Sequence, residues 1–256
     1  IEEISGDALI VYENQSGSDQ VVMYRIWNGT ALSAESSLNH ALPTGAVSWV
    51  SLYPKPGTDE MMLLVHNAAG DLAAIPWNGT AFRRDRQFNL TLAAATSTKE
   101  HFSFDWESAS GDGFAAYAVG TSFAYRTYTA STATWNADVN TSTTEAVNFV
   151  RTCAAPNSDH IGLLFTDAGV DVGARMWDGG SILSSPPSDD GTVEATGANA
   201  PNIDCFWDSG GNFATFVFVD SGALSVDYFN FTKPSTWSTT ALITTQTSAN
   251  FASDDI

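Results

Sequence analysis

The sequence predicts an all-β fold, specifically a five-bladed β-propeller of four-stranded antiparallel blades whose ring is closed by the C-terminal strand. Three observations lead to this prediction. A unit of about 50 residues recurs five times along the chain. One strand of each unit is apolar almost throughout, and hairpin signals recur at the same place in most units. No segment shows helical periodicity.

The first repeated feature is a short turn followed by an apolar run. The runs read ALIVY, EMMLLV, GFAAY, HIGLLF and NFATFVF. The last turn residues are Asp7, Asp59, Asp112, Asp159 and Gly211, with spacings of 52, 53, 47 and 52 residues. A strand that is apolar throughout is typical of one that is covered on both faces, as between neighbouring blades.

The second repeated feature is a strand-like segment that ends in aromatic residues, such as Tyr24-Arg25-Ile26-Trp27. In three units an Asn-Gly or Asp-Gly pair follows, for which we expect a type I′ hairpin turn. One short strand after this turn and one before each Ser-Gly-Asp-type turn complete four strands per unit. A β-sandwich is the alternative, but it does not require so regular a phase.

The repeat predicts one domain over residues 1–256. The predicted blades are residues 1–44, 45–97, 98–144, 145–197 and 198–256. The first unit lacks most of an innermost strand, so we expect residues 246–252 to pair with the strand at residues 8–12 and complete the first blade. The alternative is that this last strand begins a sixth blade of a longer array.

The charge excludes some classes of partner. The chain has 29 acidic and 10 basic residues, a net charge of −19. Such a surface repels nucleic acids and anionic membranes, and no apolar stretch is long enough for a membrane span. Six N-x-S/T sequons support an extracellular or cell-surface glycoprotein. They lie at Asn14, Asn28, Asn78, Asn89, Asn140 and Asn230.

Several motifs carry a family resemblance. The pattern Y-R-x-W-[ND]-G-[TS] and the segment W-V-x-L…P-G-[ST]-D-E match best at residues 24–30, 49–60 and 104–112. They resemble a tandem-repeat family of secreted and surface proteins of bacteria and archaea. This resemblance implies a propeller outside the cell and no defined chemistry. The Trp-Asn-Gly-Thr hairpin also resembles the repeats of some propeller lectins.

Two sets of residues are candidates for chemistry or binding. Asp105 and Asp204 lie seven residues before their turn positions, on predicted innermost strands. Two such acids can act as general acid and base, as five-bladed glycosidases use them, or can simply line a hydrated channel. Trp27, Trp77 and Trp177 each precede a turn. These rings can stack on sugars, or can fill the wedge between blades.

The two cysteines, Cys153 and Cys205, each lie six residues before a turn position. They therefore occupy the same site on the innermost strands of neighbouring units, where we expect a disulfide. The alternative is two buried free thiols.

No phosphate-binding loop and no metal-ligand spacing occurs in the sequence, so we expect no cofactor and no metal.

The sequence favours a non-enzymatic extracellular or cell-surface module for structure or interaction. Its expected partners are other surface proteins or glycans. Two alternatives remain at this stage, a carbohydrate-binding, lectin-like propeller and a five-bladed glycosidase.

Overall fold

The structure is a computed structural model, and it describes residues 1–14, 21–38, 42, 45–92, 99–142, 146–169, 171–183, 202–220, 225–239 and 241–245. The described chain consists of β-strands and one 3₁₀ helix at Arg84–Arg86. The prediction of an all-β chain is therefore confirmed. In the described part of the chain, no helix is long and apolar enough to cross a membrane. The chain forms two compact units, which we describe separately.

The first unit comprises residues 1–98 and 129–135. It holds a first sheet in the order β1-β2-β3 and a second sheet in the order β4-β5-β6-β7. Their strands are β1 (Ala8–Asn14), β2 (Val21–Trp27), β3 (Ser36–Leu38), β4 (Val47–Pro54), β5 (Glu60–Asn67), β6 (Asp71–Asn78) and β7 (Phe88–Thr91). The short strand β11 (Thr134–Trp135) lies in the segment 129–135.

The second unit comprises residues 99–128 and 136–256. Its third sheet contains β8-β9-β10 with β12 also paired to β10, its fourth is β13-β14-β15-β16, and its fifth is β17-β18-β19-β20 with β21 also paired to β19. The strands are β8 (Phe102–Trp106), β9 (Gly113–Val119), β10 (Ser122–Thr129), β12 (Val139–Ser142), β13 (Val147–Ala154), β14 (Ile161–Asp167), β15 (Val172–Trp177), β16 (Ile182–Leu183), β17 (Ile203–Trp207), β18 (Phe213–Asp220), β19 (Ser225–Thr232), β20 (Thr236–Trp237) and β21 (Ala241–Thr245).

The cores lie between consecutive sheets within each unit. In the first unit, Leu9 and Val22 of the first sheet pack with Leu63 and Trp77 of the second. In the second unit, Phe216 of the fifth sheet packs into one cluster with Leu164 of the fourth. Apolar β5 and β14 are buried along almost their whole length, as expected for strands covered on both faces.

A disulfide links Cys153 of β13 to Cys205 of β17, with their Cα atoms 5.8 Å apart. The predicted bond is thus present, and it joins the fourth and fifth sheets at equivalent positions of their first strands. The Trp207 indole N–H donates to the Cys153 carbonyl at 2.9 Å and forms a second link between the same two strands.

The Asn-Gly hairpins differ from the type I′ turn expected from the sequence. Gly29 and Gly79 have φ of 86° and 87°, but neither Asn28 nor Asn78 has positive φ, and type I′ requires it at both positions. Each Asn instead uses its side-chain oxygen to accept backbone N–H groups of the turn, Thr30 in the first hairpin and Thr80 in the second. This side-chain bond is the reason for Asn at these positions.

The expected pairing of residues 246–252 with the first strand lies outside the described residues. The number of blades and the closure of the ring therefore stay predictions.

Candidate functional site

The sequence E-x-x-S-G-D occurs in the turn before β1 of the first sheet and in the turn between β8 and β9 of the third sheet, and it makes the same contacts each time. Glu2 accepts from the Trp77 indole N–H at 2.6 Å, and Glu107 accepts from Trp177 at 2.6 Å. The serine of each turn also donates to the same glutamate. Each pair therefore ties one sheet to the next within its unit, the first to the second and the third to the fourth.

These contacts correct two of the predicted ligand-binding residues. Trp77 and Trp177 are 1% and 5% exposed, so neither offers an open ring face to a sugar. Burial between sheets, the alternative considered from the sequence, describes both. Trp27 differs, because it is 39% exposed.

The register of the hairpins explains this difference. Trp27 pairs with Ala8, one residue after the turn residue Asp7. Trp77 pairs with Met61, two residues after Asp59. A shift of one residue moves a side chain to the opposite face of a sheet. Trp77 therefore faces the core, and Trp27 faces away from it.

Trp27 belongs to an open face of the first sheet. Paired residues lie on the same face of a sheet, as do alternate residues along a strand. The pairs Ala8–Trp27, Ile10–Arg25 and Tyr12–Met23 therefore share the face opposite the core. Ile10 is 42% exposed. Together with Glu35, which directly precedes β3, these residues form what we call the first-sheet face.

Charged groups share this face of the first sheet with Trp27. The Tyr12 hydroxyl donates to Glu35 Oε2, and this bond raises the pKa of Tyr12 above its ordinary value, with the nearby Arg25 acting in the opposite direction. Arg25 donates from Nε to the Ser33 carbonyl at 2.9 Å. In the described part of the chain, no other acceptor for Arg25 is found.

The third sheet also carries a tyrosine, an arginine and an acid, here in a closed arrangement. The Tyr117 hydroxyl donates to Asp138, and Arg126 donates to both oxygens of the same carboxylate, with Nη2 3.0 Å from Oδ2. Arg126 holds the pKa of Asp138 below its usual value. Burial raises the pKa of Tyr117. The Asp138 carboxylate thus accepts hydrogen bonds from both Tyr117 and Arg126.

Asp105 and Asp204, the predicted acid pair, lie in unlike surroundings. Asp105 is half-buried on β8 and accepts hydrogen bonds from the Thr152 hydroxyl and the Ala154 N–H of β13. Burial raises the pKa of Asp105 to about 7 in spite of these bonds. Asp204 is exposed on β17, and its Oδ1 accepts from the Cys205 N–H at 2.8 Å.

The sequons fall on turns and strands. Asn28, Asn78, Asn89 and Asn140 are exposed, whereas Asn14 and Asn230 are half-buried on β1 and β19. Within the described ranges, no group of three or more His, Cys, Asp or Glu side chains is placed to hold a metal ion.

Sequence reasoning missed most of the first-sheet face. It singled out Trp27 but not Tyr12, Arg25 or Glu35. A signal was present: Tyr12 and Tyr117 each follow their turn aspartate by five residues, and Arg25 and Arg126 each follow a tyrosine. The acid of each set directly precedes the outer strand β3 or β12.

No protein-family model matches the sequence, and no curated protein matches it. Solved structures do resemble it in fold. The SapL1 lectin in complex with α-methyl fucoside is 10% identical over 91% of this chain and 81% of its own, with a TM-score of 0.52. The Dos1 propeller is 10% identical over 84% of this chain and 53% of its own, with a TM-score of 0.51.

The chain also matches the Aleuria aurantia lectin bound to α-methyl-L-fucoside, at 14% identity over 70% of its residues and a TM-score of 0.47. It spans 56% of the length of that lectin. At these identities the likeness concerns the fold alone. The likeness to SapL1 and Dos1 shows that this chain has the strand arrangement of a β-propeller.

Proposed function

We propose that the chain is a non-enzymatic, five-bladed carbohydrate-binding module that acts outside the cell, and that the first-sheet face is its saccharide site. The observation that carries the proposal is the open arginine. Arg25 has Nη groups without a protein acceptor in the described part of the chain, on the same sheet face as the Glu35 carboxylate and the exposed Trp27 ring.

This combination suits a sugar ring for a chemical reason. Each hydroxyl of a pyranose both donates and accepts hydrogen bonds. A guanidinium provides donors, and a carboxylate provides acceptors, with stronger bonds than neutral groups make. The apolar C–H face of the sugar can pack on Trp27 and Ile10, as ligand sites combine apolar surface with a few polar groups.

Two further observations support the proposal. The SapL1 neighbour holds a saccharide, α-methyl fucoside. The Cys153–Cys205 disulfide is typical of proteins in oxidising, extracellular environments. If no glycan binds, the broader interpretation of the sequence is favoured instead, in which the chain is a surface module with protein partners.

A glycan array followed by calorimetric titration of the strongest ligand tests the proposal. Glu35→Gln keeps the size of the side chain but removes its charge, and we expect it to weaken binding about tenfold. The matched control is Glu60→Gln, which removes an exposed carboxylate that pairs with Lys55 in the same unit. An array without a ligand, or equal affinities for the two variants, would contradict the proposal.

A further inference from the structure

A positive patch interrupts an otherwise acidic chain. The sequence Arg83-Arg84-Asp85-Arg86 contains three of the seven arginines of a protein with a net charge of −19. These residues lie between β6 and β7 of the second sheet, around the 3₁₀ helix. Three positive charges against one negative charge make this a local site of attraction for anions.

Asp85 holds two of these arginines in place. Arg83 donates from Nε and Nη2 to the two Asp85 oxygens at 3.0 and 2.9 Å, and Arg86 Nε lies 3.2 Å from Asp85 Oδ2. The bonds from Arg83 lower the pKa of Asp85. The side chains of Arg83 and Arg86 are nevertheless 38% and 41% exposed. Arg84 is also exposed.

An aromatic ring is fixed beside the arginines. The Trp135 indole N–H donates to the Arg86 carbonyl at 3.0 Å, and its ring meets Phe88 edge-on with centroids 4.5 Å apart. Trp135 is half-buried, so part of its ring remains accessible. The first unit thus presents oriented guanidinium groups and an indole at one place.

From this geometry we infer that Arg83, Arg84, Arg86 and Trp135, hereafter the arginine patch, bind a saccharide that carries carboxylate groups, a uronate oligomer. Guanidinium groups bind carboxylates through paired hydrogen bonds, and the indole supplies a surface for the sugar ring. Its arginines lie between β6 and β7 of the second sheet, its indole lies on β11, and it uses none of the residues of the first-sheet face.

The charge of the whole chain favours a uronate over a nucleic acid. Duplex DNA carries one negative charge per about 1.7 Å of its axis, and much of that charge would lie against acidic surface beyond the patch. A uronate oligomer carries only one charge per sugar ring. At about 0.1 M salt, interactions fade beyond roughly 10 Å, so a few local arginines are enough for a sparse anion.

Calorimetric titration with a short galacturonic-acid oligomer tests this inference. The same oligomer with its carboxyl groups methyl-esterified keeps the sugar rings but loses the charge. We expect the acid to bind at least about tenfold more tightly than the ester. The difference should shrink as NaCl is added. Single-stranded DNA of equal charge serves as the non-saccharide anion and should bind more weakly than the acid.

Variants locate the site. Arg84→Ala should weaken binding of the acid oligomer about tenfold. Lys55→Gln removes one positive charge from the segment between β4 and β5 in the same unit, at a residue that belongs to neither proposed site, and should leave the affinity unchanged. Circular dichroism verifies that both variants fold.

Three results would overturn the inference: equal affinity for acid and ester, equal or tighter binding of DNA, or no effect of Arg84→Ala. These titrations use an acidic ligand and residues that are not part of the first-sheet face. They can therefore succeed where the glycan array that tests the first-sheet face fails, and the reverse.

Discussion

The first and third sheets each carry a Tyr–Arg–acid set on one face, but only in the third sheet do the tyrosine and the arginine bond to the same carboxylate. In the third sheet, Tyr117 and Arg126 both bond to Asp138. In the first sheet, Tyr12 bonds to Glu35, while Arg25 bonds through Nε to a backbone carbonyl. The third-sheet set is closed, whereas the Nη groups of Arg25 in the first-sheet set have no acceptor in the described part of the chain.

On the proposal of a saccharide site at the first-sheet face, the repeated motif serves structure in one copy and binding in the other. Tyr117 is 1% exposed, so its hydroxyl requires a partner inside the protein. Tyr12 lies on a more open face, where water can serve that purpose. The aromatic residues differ as well, since Tyr128 is buried against Trp106 and Trp27 is exposed.

The largest expected effects on stability lie at the glutamate–indole hydrogen bonds, which occur at equivalent turns of the first and third sheets. Glu2→Ala and Glu107→Ala should each lower the free energy of unfolding by about 2 kcal/mol, because each leaves a buried indole N–H without its acceptor. Urea denaturation measures both values. A loss at only one of the two sites would break the equivalence of the repeated turns.

The Tyr–Arg–acid sets should respond unequally. Asp138→Ala should cost about 1.5 kcal/mol, because it leaves the buried Tyr117 hydroxyl and the Arg126 guanidinium without their shared partner. Glu35→Ala on the exposed first-sheet face should cost less than about 0.5 kcal/mol. Equal losses in urea denaturation would contradict the distinction between a closed and an open set.

The dependence of stability on pH tests whether the Asp105 carboxyl on β8 of the third sheet is shielded from water. Because the pKa of Asp105 is raised to about 7 in the folded protein, the folded state binds this proton more tightly than the unfolded state. Stability from this group is therefore greatest in acid and declines between about pH 4 and pH 7.

Asp105→Asn should remove this decline, so that the difference in stability between wild type and variant changes by up to about 4 kcal/mol across that window, at about 1.4 kcal/mol per pKa unit. Denaturation at several pH values measures it. Asp204→Asn, at the equivalent exposed position, is the control. Parallel pH profiles for wild type and Asp105→Asn would show that the carboxyl is not desolvated.

Much of the fold could be predicted because its signals are local. The turns ending at Asp7, Asp59 and Asp112 and the apolar runs after them recur in the sequence. The Cys153–Cys205 bond followed from the same alignment. Whether each tryptophan is buried or exposed could not be predicted, because this depends on the register in which the strands pair. Trp27 and Trp77 look alike in sequence, yet a shift of one residue in pairing puts them on opposite faces.

The candidate site was harder to predict because its members are distant in sequence. Tyr12 and Glu35 meet only through the pairing of β1 with β2 and the position of β3. Nothing in the sequence distinguishes the open Arg25 from the closed Arg126. That distinction depends on which carboxylate reaches the guanidinium, which only the side-chain geometry shows.

Mapping backbone-amide chemical shifts while the strongest array ligand is added tests the central claim most directly. We expect shifts concentrated at Ile10, Arg25, Trp27 and residues 33–35, with none at Tyr117, Arg126 or Asp138. Shifts at the third-sheet set without shifts at Arg25 and Trp27 would contradict the assignment of the open face as the saccharide site.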